Sequence, residues 1–183
     1  MTALGGLDLR RAPIAALSEA RGWRSPVRDF WADEAALWER WTAHWRELDD
    51  AAWLTPVAKS DAGGPDWTFL DHVAHIASWS EVGSAYVARA RDGGGWPRDE
   101  DFAGGDFDRF NEDGRAGWAG RSPAEVRAWA VAAHDALLVT AHSIPLETIR
   151  GDDAWGWVFM ALHGHALDHL GLLEPWLASR TGA

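Results

Sequence analysis

"ALHGHALDHLG", residues 161–171, sets three histidines and an aspartate into an apolar segment. The fold depends on which way each of them points. On a helix at about 100° per residue with Trp155 as origin, Val158, Phe159, Leu162, Ala166, Leu173 and Trp176 cluster within about 60°. His169 falls at about −40° and His165 at about −80°, on or beside that apolar stripe. His163 falls at about +80°, at the opposite edge, and Asp168 points away at about −140°. The stretch therefore predicts an amphipathic helix that turns an i, i+4 histidine pair inward. That spacing lets two imidazoles share one metal ion.

Three further helical patterns lie upstream. The first follows "SPVRDF", where Ser25 suits a cap and Pro26 the first helical position. Its apolar stripe is Val27, Phe30, Trp31, Trp38, Trp41, Trp45 and Leu48, with Glu34 in its middle. The second begins near Pro65–Trp67 and runs to about Arg91, where "DGGG" ends it. The third opens with "SPAE", a capping box from Ser122 to Glu125, and runs to about His142 before "IP". The fourth spans roughly Asp153 to Ser179, with Pro175 bending its last turn. No strand-like alternation competes with these patterns.

Between the second and third patterns lies Asp92 to Arg121, rich in Gly and Asp, with a short helix predicted in "FDRFNEDGRAGW". A connection of this length is usually functional, and its glycines suit a lid that brings Asn111 toward a site. The expected fold class is all-α, a four-helix bundle with a long connection between helices two and three. Residues 1–22 are read as an N-terminal arm and 23–183 as the bundle domain.

Composition narrows the function. At 183 residues one domain is expected, large enough to bury a core. The absence of cysteine excludes disulfides, thiolate ligands and a cysteine nucleophile. A net charge of −11, with Lys59 the lone lysine, opposes nucleic acid as a partner. No segment resembles a leader or a membrane span, so a soluble cytoplasmic protein is expected. The 14 Trp outnumber the 6 Phe, so Trp does much of the aromatic packing and is available to line a ligand cavity.

A lone histidine on an apolar face is usually a hydrogen-bonded core residue, and His44, His134 and His142 are read as structural or solvated. Two inward histidines at i, i+4 need a third ligand to close a metal site. The second pattern offers "DHVAHIASW", with His72 and His75 one turn apart. Helical angles leave both open.

"DWTFLDHVAHIASW" is similar to the helix-two signature of the DinB-like (YfiT-like) metalloenzymes, in which a Trp precedes a His by the interval from Trp67 to His75. "HALDH" resembles the family's fourth-helix motif, and "ELDDAAWLTPVA" and "FDRFNEDGR" resemble its connecting segments. The likeness covers about residues 26–178. It implies a four-helix bundle holding one divalent ion, nickel or zinc foremost, through His75, His165 and His169 rather than His72 or His163. Relatives include mycothiol-dependent maleylpyruvate isomerase, bacillithiol S-transferases and ClbS-like cyclopropane hydrolases.

The resemblance thus implies a metal-dependent thiol transferase or hydrolase acting on a small electrophile in detoxification. A thiol such as mycothiol or bacillithiol enters only through the resemblance, since no motif here marks its pocket. Asn111 is a candidate for orienting substrate, its ordinary role being a turn or cap. Glu34 is a candidate for hydrogen-bonding a ligating imidazole. The alternative is a non-catalytic module sequestering an apolar or aromatic molecule in a Trp-lined cavity. The expected partner is a small molecule, and a homodimer is compatible with the resemblance.

Overall fold

The computed structural model describes residues 29–58 and 66–181. The expected N-terminal arm and the Ser25–Pro26 helix start lie outside the described residues. Helix α1, Phe30–Glu47, is capped by Asp29, whose carboxylate accepts from the Ala32 N–H at 3.1 Å. It buries Phe30, Glu34, Leu37, Trp41 and Trp45, a three-and-four spacing that turns one face to the core. After the short helix α2, Asp50–Trp53, strand β1, Pro56–Val57, pairs antiparallel with β2, Trp67–Thr68. This short pairing leaves the expected all-α class unchanged. Two residues per strand are too few to show a period of two in sequence.

Helix α3, Phe69–Arg91, starts on a capping box in which Thr68 and Asp71 satisfy each other's backbone N–H. The connection that follows holds two single 3₁₀ turns, Asp99–Asp101 and Ala103–Gly105, and then helix α4, Phe107–Arg115. Helix α5, Pro123–His142, opens on the expected Ser122–Glu125 capping box, and a single turn, α6, Leu146–Ile149, follows it.

The fourth helical pattern is not one α-helix. It is α7, Asp152–Phe159, then a π-helical turn, Met160–Gly164, then α8, His165–Thr181, which continues through Pro175. A π turn advances the chain by one residue more than an α turn, so helical angles cannot be carried across it. A Cβ at position 164 would lie 2.5 Å from the Met160 sulfur, so any larger residue there has to displace that flexible side chain.

The fold is all-α, with four long helical segments and a long connection between α3 and α5. The α3–α5 interface is the most extensive. Helices α1 and α8 are joined by Arg40, which grips Glu174 through two hydrogen bonds of 2.7 Å. Aromatic packing fills one end of the core. Phe69 stacks between Trp41 at 6.3 Å and Trp176 at 5.8 Å, and Trp53 meets it edge-on at 5.1 Å. No helix among the described residues is long and apolar enough to cross a membrane.

Candidate metal centre

The cap of α3 sets the site. Asp71 is fixed by Thr68 and also accepts from the Trp118 indole N–H at 2.9 Å. Burial opposes its charge, yet these hydrogen bonds and Arg115 hold its carboxyl below the usual range. The first turns of α3 are thereby anchored, and His72 and His75 enter the interior on consecutive turns. Helix α8 supplies His165 and His169 from the facing side.

Nitrogen atoms of His75, His165 and His169 all lie within 4.8 Å of one another. The His75 and His165 Nε2 atoms are 2.9 Å apart, and the three ring centroids are separated by 4.6, 4.9 and 5.1 Å. Nitrogens bound to one ion at about 2.0–2.1 Å sit roughly 3.0–3.4 Å from each other, so small ring movements complete a shared sphere. Burial pushes the His165 imidazole down to about 4. His169 is driven well below the ordinary value by burial, and then by the charges that His165, His75 and His72 would carry. Near neutral pH His165 and His169 are therefore unprotonated donors, the form that binds a metal ion.

His72 reaches the cluster's edge. Fully buried, it sets its Nδ1 2.8 Å from the Nδ1 of His169. It is not one of the three mutually close ligands. His163 is also fully buried, a departure from its expected place on the edge of the stripe. It packs on Phe159 at 5.5 Å and Phe30 at 4.3 Å, away from the triad. The π turn contains His163 and rotates it relative to the assumed wheel, whereas His165 and His169 both follow the turn and keep their spacing. Asp168 is exposed.

Glu34 meets no ligating imidazole. Its carboxylate lies 2.7 Å from Nε2 of His134, both residues are buried, and the His134 ring stacks on Trp38 at 3.6 Å. His44 lies 3.3 Å from Glu174, and His142 is exposed and stacked on Trp31.

The long connection folds over the start of α3 through α4. Asn111 accepts from the Trp79 indole N–H at 2.9 Å, Glu112 from the Trp67 indole at 3.3 Å, and Arg115 faces Asp71. Trp67 and Trp79 both flank His75, with ring centroids at 4.9 and 6.3 Å. Beside them opens a cavity of about 420 Å³ lined by Trp79, Phe107, Trp157, Met160, Asp99 and, at the triad, His165. Gly83 lets α3 approach the π turn there, since a Cβ would sit 2.9 Å from that of Ala161. Sequence reasoning missed Trp79, Trp157 and Phe107 as cavity walls. The one available signal was the Trp79 that closes the "DHVAHIASW" stretch.

An all-α bundle whose interior gathers three imidazoles defines a helical protein with a triad that could hold a metal ion. The chain matches the DinB superfamily over residues 34–173 and belongs to it. No curated protein and no solved structure matches it.

Proposed function

We propose that the protein is a metal-dependent enzyme, a thiol transferase or hydrolase acting on a small, largely apolar electrophile in detoxification. One observation carries the reading: His165 belongs both to the imidazole triad and to the lining of the aromatic cavity. A substrate filling that cavity meets the triad directly. Three neutral imidazoles leave coordination positions open, and a divalent ion held there, nickel or zinc foremost, would polarise the electrophile and acidify a water or thiol. His75, His165 and His169 would hold the ion. Trp79, Phe107 and Trp157 would seat the apolar part of the substrate and exclude water. Asn111 would act by fixing the Trp79 indole, a positioning role. The proposed setting is the cytoplasm.

The test is turnover of aromatic electrophiles by tag-free, metal-loaded protein, with and without a low-molecular-weight thiol such as mycothiol or bacillithiol. Thiol-dependent consumption supports transfer, and thiol-independent consumption supports hydrolysis. Aromatic walls also favour a second reading, sequestration without chemistry. Tryptophan quenching by a ligand that is never consumed, whether or not metal is bound, would support it.

A further inference from the structure

We infer that His72 is a positioning residue for the third metal-binding imidazole: its Nδ1 accepts the Nδ1–H of His169 and leaves the His169 Nε2 lone pair for the ion. The inference rests on the functional reading above, in that it needs a metal-binding His169.

Two ring nitrogens 2.8 Å apart share one proton, so one donates and the other accepts. If His72 donated, the lone pair of His169 Nδ1 would be consumed and the His169 proton would sit on Nε2. His169 would then have no nitrogen free for an ion. Only the reverse arrangement is compatible with ligation: proton on His169 Nδ1, lone pair on His72 Nδ1, proton on His72 Nε2. A ligating imidazole generally gives its second N–H to an oriented acceptor that fixes ring and tautomer. Here the acceptor is another imidazole in place of a carboxylate or carbonyl.

Other observations agree. His72 is held rigidly, fully buried one residue after the capping Asp71 and edge-on to Trp67 at 5.5 Å. The backbone of Ala58 and Val57 lies beside its ring.

Two substitutions separate positioning from ligation. The carbonyl of Asn sits close to where Nδ1 of an imidazole would be, whereas that of Gln lies one carbon further out. Tag-free apo-protein would be titrated with Ni²⁺ for affinity and with Co²⁺ for its visible absorption, a report on coordination. His72→Asn is expected to bind Ni²⁺ within about threefold of the parent. His72→Gln is expected to lose about ten- to a hundredfold. Both should keep the parent Co²⁺ band shape. Equal affinity of His72→Gln and the parent overturns the inference, as does a loss of more than about tenfold in His72→Asn. An altered Co²⁺ spectrum in either variant also overturns it, by making His72 a ligand. If the Gln variant fails to fold, as judged by the apo-protein's thermal melt, His72→Ala, which removes the acceptor without adding length, takes its place with the same expected loss. Absence of stoichiometric binding by the parent would overturn the functional reading itself, whereas parent binding with no response at position 72 overturns this inference alone.

Discussion

Apart from His163, the histidines inside this bundle form two groups, and they are satisfied in different ways. His134 has a carboxylate, Glu34, at 2.7 Å and an indole face, Trp38, against its ring. Proton donor and acceptor are both present in that contact, while the His134 Nδ1 has no hydrogen-bond partner among the described residues. The cluster of His72, His75, His165 and His169 is drawn together differently. Its close contacts are nitrogen to nitrogen, and each added proton would be repelled by its neighbours and by the apolar surroundings. Lone pairs gathered without protons are complementary to a cation that brings none. The difference teaches that burial alone does not mark a functional histidine; the chemistry of its neighbours does.

The strongest way to break the contrast is to remove a member of each group. His169→Ala should weaken Ni²⁺ binding by at least about a thousandfold, since two imidazoles do not close a site. His134→Ala should leave binding within about threefold. It should instead strand Glu34 in the interior and cost about 3 kcal/mol of stability by urea denaturation. Metal loss in His134→Ala, or its retention in His169→Ala, would erase the distinction.

Acid should separate metal binding from stability. Below about 6.5 the unfolded chain takes up protons on its histidines. Folded His72 and His165, held down to about 4, and His169, held lower than usual, do not. Stability of the apo-protein should therefore be flat above about pH 6.5 and fall steadily from there toward about pH 4. Affinity for Ni²⁺ should fall less steeply below about pH 6.5 than free imidazoles would dictate while the chain remains folded, because burial holds the titrations of His165 and His169 below that range. Urea midpoints and competitive titrations over pH 4–8 check both. Stability that rises on acidification would mean that these imidazoles are charged in the fold.

Asn111→Ala should have the smallest effect, about 1 kcal/mol in stability for one lost hydrogen bond to the Trp79 indole. His75 and His165 should keep their metal. Ligand affinity, read by tryptophan quenching, should fall by several-fold as the cavity wall loosens. An unchanged quenching curve would remove Asn111 from the site.

Much of this was legible in the sequence where a local rule applied. The Ser122–Glu125 box announced α5, and the His165–His169 spacing announced an inward pair because both residues sit on one uninterrupted helix. His163 was misplaced because the π turn at Met160–Gly164 breaks the angular period, and Gly164 alone does not advertise it. Glu34 stands 100 positions before His134, and Asn111 stands 32 after Trp79. Pairs that distant in sequence carry no periodic signal. A tryptophan-lined cavity was expected, but which residues wall it was invisible for the same reason, since they come from α3, the long connection, α7 and the π turn. The choice of His75 over His72 came from the family likeness, since helical angles left both open.

The most direct measurement is anomalous scattering from crystals of the Ni²⁺-loaded protein at the metal's absorption edge. The account predicts one strong peak inside the bundle, within bonding distance of His75, His165 and His169, with His72 contacting His169 and not the ion. A peak bonded to His163 or His134, or loaded crystals without an internal peak, would contradict it.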